Sequence, residues 1–119
     1  MINPESTEET TSLLEVATTV PTKVDAERIA NSIITLRLAA CVQIAGPMRS
    51  RYRWQGNVED SQEWKLIFKT TSTRRDALLL TLRDEHPYEV PEIVIHRADW
   101  VEPEYMKWVL EQTADQDAG

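Results

Sequence analysis

Tyr52-Arg53-Trp54-Gln55-Gly56-Asn57-Val58-Glu59-Asp60 holds the punctuation on which the fold turns. Gln55, Gly56 and Asn57 supply turn chemistry, because glycine takes positive φ at no steric cost and asparagine tolerates it. On the N-terminal side, residues 41–54 read as extended. On an uninterrupted strand Arg49, Arg51 and Arg53 share one face, with Ser50, Tyr52 and Trp54 on the other. Pro47 has no N–H to give a ladder, so it marks a disruption or a bulge. On the C-terminal side, residues 58–70 put Trp64, Leu66 and Phe68 on one face and Glu63, Lys65, Ile67 and Lys69 on the other. The reading is a β-hairpin with one face packed on helices. Strands of about 13 residues each extend roughly 43 Å at 3.3 Å per residue, more than a compact 100-residue core needs. Edges that long invite aggregation unless they are paired, and closed pairing between copies of the chain is the expected remedy.

Working outward, residues 13–20 mix Leu, Val and Thr and stop at Pro21, which reads as a strand. Thr22 followed by Asp25 forms a variant capping box. Beyond it Ala26, Ile29, Ala30, Ile33 and Leu36 recur at helical steps, predicting a helix to about residue 39. Residues 73–86 read as a second helix, with Thr73 as cap and Ala77, Leu78, Thr81 and Leu82 facing inward, ended by Pro87. Residues 92–96 hold Ile93, Val94 and Ile95 in succession, as in a strand covered on both faces. Pro103 suits the first turn of a last helix through Tyr105, Met106, Trp108, Val109 and Leu110. The order βαββαβ plus a helix predicts an α+β, ferredoxin-like split βαβ sandwich with a long β-hairpin and an extra C-terminal helix.

With 119 residues, 41% hydrophobic and 28% charged, the chain has the composition of one globular domain. Six of the 20 acidic side chains lie in residues 1–12 and 111–119, which carry no base; the other 14 face 13 basic ones. The net charge of −7 therefore belongs mostly to the ends. The expected organisation is a flexible acidic tail at 1–12, one domain at 13–112 and a flexible acidic tail at 113–119. A near-neutral body has no broad cationic surface for phosphates, so nucleic acid is not an expected partner. No apolar run approaches the roughly 20 residues that span a bilayer, and no secretory leader is visible, so neither membrane nor export is expected. Cys41, the one cysteine, sits among Ala39, Ala40 and Val42 and reads as a buried reduced thiol, which suits the cytoplasm.

Four segments carry a resemblance: LRLAACV at 36–42, YRWQGNVED at 52–60, EWKLIFKT at 63–70 and HPYEVPEI at 86–93. In this order and spacing the chain resembles the CutA family of divalent-cation tolerance proteins over roughly residues 13–110. The resemblance implies a ferredoxin-like homotrimer whose long hairpins pair between subunits, cytoplasmic in bacteria and linked to copper and other divalent-metal tolerance. Copper-binding members have a cysteine at the end of the first strand and two adjacent histidines before the Pro-Tyr pair. Here Ala17 or Thr18 stands in the first region and Glu85 replaces the first histidine, which weighs against a soft copper site.

His86, with Glu85, Glu89 and Glu92 nearby, forms the candidate metal cluster, since imidazole and carboxylates suit zinc or copper. The alternative is a polar helix end with His86 bonded to backbone. Glu63, Lys69 and Tyr88 are candidates for a small-ligand cleft, which in a resembling trimer lies between subunits; the alternative is a satisfied polar interface. Trp54 and Trp64 are the candidate trimer anchors. The arginine stripe reads as an anion site, as salt bridges or as a solvated face. His96 reads as structural or exposed. No nucleophile–base motif and no phosphate-binding glycine loop occurs among only three glycines, so the expected protein is not an enzyme. Two other roles remain open, a small-ligand signalling trimer like the nitrogen-regulatory PII proteins and a protein-interaction scaffold.

Overall fold

A computed structural model of the chain describes residues 11–115. The elements run β1 (Leu13–Val20), α1 (Lys23–Thr35), β2 (Cys41–Trp54), β3 (Asn57–Thr71), α2 (Arg75–Glu85), β4 (Ile93–Arg97) and α3 (Pro103–Gln112). All neighbours in the sheet pair antiparallel, in the order β2-β3-β1-β4. This is the ferredoxin-like arrangement that the element order predicts. Of the expected tails, residues 1–10 and 116–119 lie outside the described residues. At their margins, Ser72 donates its N–H to the Ser12 carbonyl at 2.9 Å, and the buried Thr113 hydroxyl donates to the Val109 carbonyl at 2.8 Å.

The core forms where α1 and α2 cover one face of the sheet. Val16, Val20, Leu66, Phe68, Ile29, Ile33, Leu78 and Leu82 are all fully buried in one cluster. Thr22 caps α1 as expected, its hydroxyl oxygen accepting the Asp25 N–H at 3.0 Å. The helix stops at Thr35 rather than near 39. Arg37 takes a left-handed φ of 59°, so the N–H groups of Arg37 and Leu38 close on the carbonyls of Ile34 and Ile33, both at 3.0 Å. Leu36 thereby leaves the apolar stripe for solvent, and Leu38 and Ala39 enter the core in its place. α2 also starts later than expected. Arg74, not Thr73, holds the cap position without a side-chain bond, and Ala77 is exposed while Leu78 and Leu82 face inward.

β4 departs most from expectation. It is an edge strand paired to β1 alone, and Val94 on the face away from the core is 42% exposed. Three β-branched residues in a row therefore mark a strand with one face on the core and an apolar residue left in the open.

The hairpin has two parts. Near the core its strands pack as expected; beyond a register shift between Ala45 and Met48, where Pro47 foretold a disruption, it projects as an arm. Gly46 makes the bend feasible, because a Cβ there would stand 2.7 Å from the Trp64 ring. At the tip Gln55 and Gly56 adopt φ of 50° and 83°, the primed turn that matches the twist of paired strands. Every residue from 51 to 60 is exposed, and the molecule measures 52 × 33 × 25 Å.

Candidate functional site

At the base of the arm the loop at 86–92 folds alongside β3 and borders an open cleft of about 600 Å³. Pro87 forces the loop to begin: His86 leaves α2 in an extended conformation with ψ of 132°. Its ring then latches the loop to β1. The Tyr88 N–H donates to Nδ1 at 3.1 Å, which leaves the ring proton on Nε2, 2.8 Å from Thr18 Oγ1. The Thr18 hydroxyl accepts the hydrogen bond from that N–H and donates its own to the Glu92 carbonyl at 2.7 Å. Burial holds His86 below the ordinary histidine range, consistent with a neutral ring using both nitrogens.

The latch sets Tyr88 over the sheet, where its hydroxyl donates to Glu63 Oε2 at 2.7 Å. Glu63 is only 7% exposed. Its carboxylate has no ion pair and no other hydrogen bond among the described residues. Burial first, and then the bond to Glu63, push the Tyr88 hydroxyl far above the usual tyrosine range, so it stays protonated as the donor. Cross-strand pairing of Met48 with Glu63 and of Tyr52 with Glu59 puts Ser50, Tyr52 and Trp54 on the same side of the arm as Glu63. These residues, with Arg51, Thr19, Val90, Glu89 and Glu92, complete the lining.

The candidate residues named from sequence are thus only partly brought together. Glu63 and Tyr88 meet; Lys69 does not join them. It lies six residues further along β3, roughly 20 Å at 3.3 Å per residue, and is paired with Glu15 on β1. The expected metal quartet separates as well. Glu85 turns to α1, where Arg28 donates to it at 3.1 Å and the Ser32 hydroxyl at 2.5 Å, while Glu89 and Glu92 are exposed at the cleft. With His86 using both nitrogens internally, the four do not converge, and among the described residues no three His, Cys, Asp or Glu side chains are grouped to hold a metal ion. Trp64 is engaged within its own chain, packed on the core with the Lys23 ammonium 5.9 Å from its ring centre, whereas Trp54 remains 46% exposed.

Cys41 is partly buried beside Lys69, and His96 is exposed opposite Glu15. Of the arginine stripe, Arg49 forms a diagonal fork with Asp60, Nε to Oδ1 at 2.8 Å and Nη2 to Oδ2 at 2.5 Å. Sequence reasoning missed the Thr18 relay and the grip of Arg28 and Ser32 on Glu85, both contacts between residues more than 50 positions apart. Tyr52 was readable as sharing a face with Trp54, but only the position of the loop shows that this face lines a cleft.

The sheet order, the projecting arm and the cleft at its base define a ferredoxin-like α+β protein that carries an extended β-hairpin. Among the described residues no helix is long and apolar enough to cross a membrane. The chain belongs to the CutA1 divalent ion tolerance protein family, whose model matches residues 14–112. It is 42% identical over 98 residues to the divalent-cation tolerance protein CutA of Thermus thermophilus, covering 82% of this chain and 95% of that one. With its counterpart from Pectobacterium atrosepticum it shares 35% identity over 91 residues, 76% of this chain and 83% of the relative. The crystal structure of CutA from Xylella fastidiosa matches with a TM-score of 0.84 at 33% identity, covering 87% of this chain and 99% of that one. The Thermus thermophilus Cut A1 structure matches at 0.82 and 40% identity, covering 86% and 99%.

Proposed function

We propose that this chain serves divalent-cation tolerance as a cytoplasmic, non-catalytic homotrimer. The observation that supports the trimer is the arm: residues 51–60 are all exposed and include Tyr52, Trp54 and Val58, large apolar side chains that association would cover. The open edge at β4, with Val94 uncovered, supports the same reading. Closed threefold association gives each edge and each arm a partner without leading to open-ended assembly. Copper or zinc enters this proposal through Glu89 and Glu92, which need further ligands from a second subunit to complete a coordination shell. Titration of the assembled protein with each ion tests this part: saturable binding weakened in Glu92→Gln supports it, and an absence of saturable binding discards a direct role for the ion.

A second reading, small-ligand binding as in PII-like signalling trimers, is favoured by one observation. The cleft holds about 600 Å³, far more than an ion fills, and has aromatic walls. Thermal shift with metabolites of opposite charge separates it from the ion reading.

A further inference from the structure

We infer that the Thr18 hydroxyl withholds His86 from divalent ions: hydrogen bonds alone latch the loop at 86–92, and an ion held by this chain takes no imidazole from it. An imidazole beside carboxylates is a donor set that a borderline ion selects, and the sequence places His86 among Glu85, Glu89 and Glu92. The fold takes that set apart. The ion reading above turns on Glu89 and Glu92, and the ring stands apart from it.

A metal takes an imidazole nitrogen through its lone pair, so the ring proton must sit on the other nitrogen. In His86 neither nitrogen is open: Nδ1 accepts the Tyr88 N–H at 3.1 Å, and Nε2 faces Thr18 Oγ1 at 2.8 Å. Backbone groups fix the polarity of this chain of bonds at both ends. The Tyr88 N–H can only donate, and the Glu92 carbonyl, 2.7 Å from Thr18 Oγ1, can only accept. The hydroxyl between them therefore donates to Glu92 and accepts from Nε2, which keeps the ring proton there. An ion at Nε2 would drive that proton to Nδ1, where it would meet the Tyr88 N–H donor to donor. An ion at Nδ1 would displace the Tyr88 amide, and with it the loop that sets Tyr88 on Glu63. Thr18 is fully buried, so either change strands polar groups away from water. The carboxylate next in sequence gives no help, because Arg28 and Ser32 hold Glu85 against α1.

The test is nitrogen-edited NMR of the imidazole rings in the full chain, titrated with zinc chloride and then with EDTA, beside a calorimetric zinc titration. The chain has two histidines, so His96→Gln assigns them. Wild-type His86 is expected to show the Nε2–H tautomer and to keep its shifts through millimolar zinc, with EDTA changing nothing. Thr18→Ala cuts the tie of both His86 and Glu92 to β1, so the ring should be free to turn and should give a saturable zinc shift with a millimolar Kd. Thr18→Ser keeps the hydroxyl and should stay as silent as the wild type. A zinc-dependent shift at wild-type His86 would overturn the inference and leave the ion reading standing. Silence in a folded Thr18→Ala would overturn the assignment to Thr18, by showing that burial alone keeps the ion out. If Thr18→Ala fails to fold, the wild-type titration and Thr18→Ser still decide. Calorimetric zinc binding with His86 silent supports the inference together with the carboxylate reading; no zinc binding at all supports it and discards that reading.

Discussion

The helix-covered half of the sheet and the arm are built from the same two strands, yet they obey different rules. Near the core, β3 buries Leu66 and Phe68 completely under α1 and α2; past the bulge it runs to a tip where no residue from 51 to 60 is buried. The first half buries its helix-facing side chains within one chain. The second leaves Tyr52, Trp54 and Val58 exposed, side chains that the proposed association would cover. The cleft lies at the junction, with one wall drawn from the arm and Glu63 at the last buried position before the strand enters solvent.

The largest expected contrast comes from truncating one aromatic in each half. Phe68→Ala should cost about 3–5 kcal/mol in urea unfolding, because a fully buried ring leaves a cavity that the packed helices cannot close. Trp54→Ala should leave the unfolding of the subunit core nearly unchanged and weaken association instead, read as mass against concentration. A comparable loss of core stability from Trp54 would break the division between the two regions.

At the boundary, Gly46→Ala should cost roughly 1–3 kcal/mol, since the new methyl meets the Trp64 ring at 2.7 Å and one of the two must move. An unchanged midpoint would show that the bend is not held by that contact.

The latch at 86–92 sharpens the comparison through pH. Burial depresses the His86 pKa below the ordinary value of 6.5, so from about pH 6.5 downward the unfolded chain takes up a proton that the folded chain resists. Stability should therefore fall with falling pH through that window until folded His86 itself titrates, and should show no contribution from this group above it. In His86→Gln that part of the slope should vanish, and Thr18→Val should lose about 1–3 kcal/mol at neutral pH by breaking the relay to Glu92. A pH profile identical in wild type and His86→Gln would show that the latch does not hold the fold.

What could be read in advance follows the range of each interaction. Periodicity, turn residues and proline positions are local, so the hairpin, its disruption at Pro47, the element order and the Thr22 cap were legible. Helix ends were less so: the left-handed Arg37 is not a glycine, and nothing nearby signals that Leu36 gives up its place to Leu38. Whether β4 is an edge depends on sheet order, which a run of β-branched residues does not encode. In the site, Glu63 and Lys69 share a strand face by alternation, but equal parity does not mean proximity, and Glu15 claims the lysine. Glu85 looked like a neighbour of His86 until the packing of α2 on α1 brought Arg28 and Ser32 within reach.

The smallest effect is expected on the arm's exposed arginine face. Arg49→Ala, which removes the fork to Asp60, should leave the unfolding midpoint of the core unmoved, because solvent screens an ion pair there. A clear destabilisation of the core would show that the arm and core are energetically one unit.

The central claim is that the arm exists to be met by other copies of the chain. Light-scattering mass across micromolar concentrations, on the full chain, tests it most directly. The account predicts a species of roughly three times 13.7 kDa; a mass of 13.7 kDa throughout that range would contradict it.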